Sequence, residues 1–181
     1  MKKGRRIAAV FLMFILLTGI SGCGVNQKSP EGVVKSLIEA YGDDSAKNAR
    51  KCFGSKESDK ETEAEIEASI KYIQAHQTDK VDLLECGVIE DYGKYSYVYI
   101  TYNLVLDKKK EYPCIGTYMV KKSDKKYYIM SSKEITQEIS EQASTAYASF
   151  MNTEPYQDYS KAYEKFIKQN PGYEERISEK L

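Results

Sequence analysis

YSYVYITYNLVL, residues 95–106, alternates with a period of two along its whole length. Val98, Ile100, Tyr102, Leu104 and Leu106 fall on one face of the strand this pattern predicts, and Tyr95, Tyr97, Tyr99, Thr101 and Asn103 on the other. The aliphatic face has to leave water, so it is expected to meet helices. The same period begins at Val81 and runs for about fifty residues, cut by polar turns at Asp91 to Lys94, Asp107 to Lys110 and Ser123 to Lys126. Four strands joined by turns this tight favour an antiparallel meander.

On both sides of the strands the period is helical. Ser29-Pro30 reads as an N-cap followed by proline at the first helical position, and Val33, Val34, Leu37, Ile38 and Tyr41 follow at helical spacing until Gly42. Asp43, Asp44 and Ser45 offer a fresh cap for a short helix carrying Ala46, Ala49, Arg50 and Phe53, with Cys52 near its apolar face. A third helical segment spans about 60–77, with Ile66, Ile70 and Ile73 on one stripe. After Ile135 the pattern is helical again through Ala143, Ala146, Tyr147 and Phe150. It is interrupted at Pro155 and resumes through Tyr159, Tyr163, Phe166 and Ile167 to a break at Asn170-Pro171-Gly172. The class expected is α+β: N-terminal helices packed on a curved, cone-like four-stranded antiparallel sheet, then a C-terminal helical extension over 136–181. "AYASFMNTEPYQDYSKAYEKF", residues 146–166, faintly echoes "SLIEAYGDDSAKNARKCF", residues 36–53, which leaves a truncated second copy as the alternative to an extension packed on the first domain.

The chain opens with Lys2, Lys3, Arg5 and Arg6 and an apolar run from Ile7 to Leu17, a charged region followed by a hydrophobic one. Even counted on to Ile20 the run reaches only about 14 residues, against the roughly 20 needed to span a bilayer, so it is too short for a lone transmembrane anchor. It ends in Ile20-Ser21-Gly22-Cys23, which resembles the bacterial lipobox: an aliphatic residue, two small residues, then cysteine. The resemblance implies a signal peptide over 1–22, processing by prolipoprotein diacylglyceryl transferase and lipoprotein signal peptidase, and a covalent diacylglyceryl lipid on Cys23 with further acylation by a fatty acid such as palmitate. It places the mature chain on the extracytoplasmic face of a bacterial cell membrane, or on an outer membrane where the cell has one, with the bilayer as its first partner. Two acyl chains hold a protein durably, where one holds it only marginally. Residues 23–28 read as the lipidated terminus and a short polar connector, so the folded part is expected close to the membrane.

The 181 residues include 27 basic and 27 acidic ones. Loss of the four basic residues of the signal leaves the mature chain mildly acidic, which argues against nucleic acid as a partner. Length fits one domain with a modest appendage. Three cysteines remain after Cys23: Cys52, Cys86 and Cys114. The odd count argues against a disulfide-built scaffold. Cys86 and Cys114 fall on the first and third strands, two spacings of about 4.8 Å apart, which exceeds the usual reach of a bridge. Cys52 could reach one of them from the helix layer, and the alternative is three buried thiols used as small apolar residues.

The run "SPEGVVKSLIEAYGDDSAKNARKCF", residues 29–53, followed by a third helix and four strands, resembles small lipoprotein members of the nuclear transport factor 2-like (SnoaL-like, cystatin-like) superfamily over 29–135. The resemblance implies an α+β cone in which a bent sheet wraps the first helix and leaves a pocket. It names no function, because that superfamily holds isomerases, dehydratases, transport factors and binding domains.

Enzymes on this fold place an acid or base inside the cone, commonly an Asp/His pair or a tyrosine with an acid. Here the lone histidine, His76, lies near the end of the third helix, where a cap or a solvated position is expected. No metal-ligand spacing, phosphate loop or nucleophile elbow is present in the sequence. The remaining candidates are tyrosines, 16 in all. Tyr95, Tyr97 and Tyr99 share one face of the second strand, and Tyr112 and Tyr118 share a face of the third. If those faces meet across the ladder they form an aromatic wall for a sugar, peptide or ring-bearing metabolite; otherwise they are strand tyrosines with hydroxyls in water. The reading favoured is a non-catalytic, membrane-anchored module for a small ligand or another envelope protein, without cofactor or metal. The alternatives are a small isomerase- or hydrolase-type enzyme using the cone's pocket, and a structural partner that grips through its tail.

Overall fold

A computed structural model describes residues 24–54, 60–107 and 109–181, so Cys23 and the lipobox lie outside the described residues. Three α-helices come first, α1 (Pro30–Gly42), α2 (Ala46–Phe53) and α3 (Lys60–Ala75). Four strands follow, β1 (Thr78–Asp91), β2 (Tyr95–Leu106), β3 (Lys110–Ser123) and β4 (Lys126–Ile129), and then α4 (Gln137–Phe150), α5 (Glu154–Gln169) and α6 (Tyr173–Ser178). The class is α+β, with one four-stranded antiparallel sheet in the order β1-β2-β3-β4.

Local chemistry sets the helix ends. The Ser29 side chain accepts from the Gly32 backbone N–H at 3.0 Å and Pro30 starts α1, as the sequence predicts. Gly54 closes α2 at φ 72°, and a Cβ there would stand 2.5 Å from the Tyr128 ring. Glycine is required at that position for both reasons. The third helix stops at Ala75 and β1 begins at Thr78, three residues before the alternating pattern starts. Pro155 lies in the first turn of α5 and so opens a helix; the turn of 151–153 is the interruption.

Val98, Ile100, Tyr102, Leu104 and Leu106 form the main core with Val33, Val34, Leu37 and Ile38 of α1, Cys52 and Phe53 of α2, and Ile66, Ile70 and Ile73 of α3. This is the helix-covered face expected of β2. Removing such side chains from water contributes about 1.5–3 kcal/mol each. The opposite face is covered as well. Tyr97 and Met119 pack with Ile139, Ala143, Ala146 and Tyr147 of α4 in a second, smaller core. The structure therefore corrects the expectation that this tyrosine face meets water.

One further expectation changes, and the reading of three unbridged thiols holds. Residues 25–28 are no free connector: Val25 packs on the main core, the Asn26 N–H donates to Ser36 Oγ at 2.9 Å, and the Tyr127 N–H donates to the Gln27 carbonyl at 3.0 Å. Cys52, Cys86 and Cys114 are free thiols, each pushed up to about 12 chiefly by burial. Cys86 pairs with Ile100 and Cys114 with Tyr102, so β2 stands between them.

Candidate functional site

The β2–β3 register decides what the candidate tyrosines can do. Tyr97 lies opposite Met119 and Tyr99 opposite Thr117, whereas Tyr112 lies opposite Leu104 and Tyr118 opposite Val98. Side chains directly across a ladder share a face. Tyr95, Tyr97 and Tyr99 are thus on the α4 side and Tyr112 and Tyr118 on the α1 side. The two sets do not meet, and the single aromatic wall does not form. The sheet instead separates three tyrosine environments.

The first lies between α1, α3 and the sheet. Tyr41, Ala68, Ser69, Tyr72, Ile73, Tyr102 and Tyr118 line a cavity of about 270 Å³. Burial raises the hydroxyl pKa of Tyr41, Tyr102 and Tyr118, so the phenols stay protonated donors. No carboxylate, histidine or cysteine lines this cavity.

The second environment is a sealed junction where α3, β3, α5 and α6 meet. His76 is 4% exposed, which corrects the expectation that it caps or faces solvent. Its ring lies 4.7 Å from Tyr72, 4.6 Å from Tyr112 and 5.6 Å from Tyr173. Nδ1 and the Tyr173 hydroxyl share a 2.7 Å hydrogen bond, while Nε2 is buried without a hydrogen-bond partner among the described residues. Burial, helped by Lys180 and opposed by Glu174, lowers its pKa to about 4, so the imidazole is neutral near pH 7. Glu174 accepts from the Tyr112 hydroxyl at 3.0 Å and from the Tyr163 hydroxyl. An acid does approach His76, and His76 lines none of the four cavities described for this fold. Tyr112, 5% exposed, belongs to this packing.

The third environment is a groove of about 790 Å³ on the other side of the sheet, between the end of β1 and α4. The Tyr99 and Phe150 rings pack tilted, 4.7 Å apart, in its wall, and the Tyr99 hydroxyl donates to Glu85 Oε1 at 2.5 Å. Tyr92 closes one side by donating to the Gln142 carbonyl at 3.2 Å, and Tyr95 donates to Gln142 Oε1 at 2.5 Å. Apolar surface comes from Val88, Ile89, Ala146 and Pro155, and polar groups from Thr145, Ser149 and Thr153. Glu90, Glu138 and Glu141 complete the lining, and all three are exposed. No histidine or cysteine is among the residues lining the groove. Bulges between Leu83 and Glu85 and between Val88 and Glu90 bend β1 beside it. Gly87 is part of this construction: a Cβ there would lie 2.9 Å from the Tyr99 ring.

Of the predicted residues, Tyr99 alone lines this groove. Tyr97 lines a smaller cavity of about 320 Å³ on the β3 side of α4, where its hydroxyl donates to Thr117 at 3.0 Å. The residues of α4 that complete the groove were missed. Their signal was available: Glu138, Glu141, Gln142, Thr145, Ala146 and Ser149 recur at helical spacing as one face of mostly small or polar residues.

Among the described residues no cluster of histidine, cysteine or carboxylate could hold a metal ion, and no helix is long and apolar enough to cross a membrane. No family model, curated protein or solved structure matches the chain.

Proposed function

We propose that this chain is a bacterial lipoprotein, lipid-anchored through Cys23 on the extracytoplasmic face of the membrane, and that its domain is a non-catalytic binding module. On this reading the domain is a nuclear transport factor 2-like cone over 29–135 elaborated by the helices of 136–181. The observation that carries the binding reading is the groove between β1 and α4, whose volume of about 790 Å³ falls in the range of small-molecule sites. Its apolar lining comes from Val88, Ile89, Ala146 and Pro155 over the buried Tyr99 and Phe150 rings, and its glutamates and hydroxyls offer orienting contacts. The α1-side cavity, lined by tyrosine, aliphatic side chains and one serine, lacks the acid-base pair that the isomerase or hydrolase alternative requires. The third alternative, a tail that only grips a partner, is weakened because α4 and α5 contribute side chains to the two cores.

Two measurements test this. Metabolic labelling with a fatty-acid probe should mark the full chain and fail on Cys23→Ala; equal labelling of both defeats the anchor. Titration of the full chain in nanodiscs with indole, phenol and benzamidinium, followed by amide shifts, should move Thr145, Ala146 and Ser149, and Ala146→Trp should abolish the response. Shifts confined to Tyr41, Ser69 and Tyr102 would move the site to the other face of the sheet.

A further inference from the structure

We infer that the pole formed by residues 25–28, the second half of α2 and the β3–β4 hairpin is seated on an anionic lipid bilayer. The inference rests on the lipid-anchored reading above and adds an orientation to it. Cys23 is two residues from Val25, and a residue spans at most about 3.5 Å, so connectivity alone keeps the Cys23 Cα within about 7 Å of the Cα of Val25, whose side chain packs against the core. The next residues fix which side of the fold that is. The Gln27 side chain donates to the Lys51 carbonyl at 3.0 Å, and its own carbonyl accepts from the Tyr127 N–H. The end of α2 and strand β4 therefore flank the point where the chain leaves for the membrane, and Gly54 against Tyr128 holds those two elements together.

The same segments are basic. Lys28, Lys47, Lys51, Lys122, Lys125 and Lys126 lie on residues 25–28, 47–51 and 122–128, all six are exposed, and Asp124 is the one acidic residue there. None of the six is in an ion pair among the described residues. Arg50, on the same helix, is instead taken up by Glu63. Lys51 donates to Asn48 Oδ1 at 3.1 Å and Lys122 lies over the Tyr127 ring, but no carboxylate neutralises any of the six, so beside a lipidated cysteine they complement an acidic headgroup layer, each strengthening attachment by roughly fivefold at low ionic strength. The helix on the other face of the sheet has the opposite character: α4 carries Glu138 and Glu141 and no basic residue. Sheet order places β4 at one edge and β1 at the other, so the groove beside β1 is about three strand spacings, roughly 14 Å, from the seated edge. The anchor holds the molecule by β4 and presents the groove away from the membrane.

Lysine acetylation footprinting of the full chain tests this, in nanodiscs of phosphatidylcholine and of phosphatidylcholine mixed with phosphatidylglycerol, read by mass spectrometry. In the anionic discs Lys28, Lys51, Lys125 and Lys126 should be protected about fivefold relative to detergent, and Lys161, Lys165 and Lys168 of α5 should react equally in all three. The triple change Lys28→Glu, Lys51→Glu, Lys126→Glu should erase the protection of Lys125 while far-UV circular dichroism is unchanged. Uniform reactivity, or protection of α5, overturns the orientation. The mass of the Cys23 peptide separates the two claims: a diacylglyceryl adduct without protection refutes the seating alone, and absence of the adduct refutes the anchor together with the seating that depends on it.

Discussion

Acid should unfold this protein partly through one residue, His76. In the folded chain its pKa is about 4, against 6.5 for a free imidazole, with burial as the first cause and the Lys180 charge as the second. A buried neutral histidine stabilises the fold above the unfolded-state pKa, because neither state then holds the proton. As pH falls from 6.5 the unfolded chain takes up a proton that the native chain refuses, and stability is lost until pH reaches about 4, below which this contribution is flat. The difference between the two values corresponds to about 3 kcal/mol, reduced to about 2 kcal/mol once water reaching the protonated ring is allowed for. The native state has little to offer an imidazolium: Tyr173 already occupies Nδ1, three aromatic rings surround the side chain, and Lys180 donates to the neighbouring Ala75 carbonyl at 2.9 Å. Urea denaturation followed by far-UV circular dichroism, repeated from pH 7.5 to 4, measures the loss, and His76→Phe isolates it from the carboxylates. Wild type minus variant should be level above pH 6.5 and fall by about 2 kcal/mol by pH 4.5. Parallel curves for the two proteins would show that His76 is solvated and that the junction drawn around it is wrong.

Tyr97→Ser and Tyr99→Ser should each destabilise the fold by on the order of 3 kcal/mol in thermal or urea unfolding, because both rings are under 9% exposed; a loss below about 1 kcal/mol would return them to the surface. Gly54→Ala should cost about 2 kcal/mol, since it combines a left-handed φ with a clash on Tyr128, and wild-type stability would contradict the α2–β4 contact. Thiol titration of the unfolded Cys23→Ala chain should find three free thiols, and a count of one would mean a bridge that the fold lacks. Deleting residues 137–181 should leave a chain that aggregates, because it strips Ile139, Phe150 and Phe166 from buried positions; a soluble, folded 1–136 chain would refute their place in the packing.

The meander was legible because its information is local. Polar turn residues and strict alternation mark four strands, and the Ser29-Pro30 cap marks α1 to the residue. The site was less legible because it depends on which faces and distant segments meet. Period two places Tyr112 and Tyr118 together on β3, but only the pairing of Leu106 with Lys110 across the turn decides that they lie on the α1 side of the sheet and not beside Tyr99. Tyrosine itself blurs the reading, since its ring is satisfied in a core while its hydroxyl needs one partner, and that partner can be remote: Glu174 serves Tyr112 from 62 residues away. His76 misleads for the same reason. At the polar end of α3 it reads as solvated, and its burial is made by residues almost a hundred positions later in the chain.

The helices after the sheet explain why the pocket implied by the family resemblance and the groove observed are on different faces. A four-stranded sheet covered on one side leaves its second face to water, and there a strand with Tyr95, Tyr97 and Tyr99 would have been an open aromatic surface. Helix α4 closes over Tyr97 and Met119 through Ile139 and Ala143, but opposite Val88 and Ile89 its face carries Thr145, Ala146 and Ser149, too short to fill the space. The groove is the volume those small side chains leave between a bulged strand and α4. Filling it by Ser149→Leu should therefore test whether the space is structural slack or a site. In slack, added apolar area contributes roughly 1 kcal/mol of stability and changes nothing else. In a site, the same substitution leaves stability equal or higher while the amide shifts that benzamidinium induces at Thr145 and Ala146 disappear. Stabilised protein that still binds the probe as wild type does would remove the groove from the functional account.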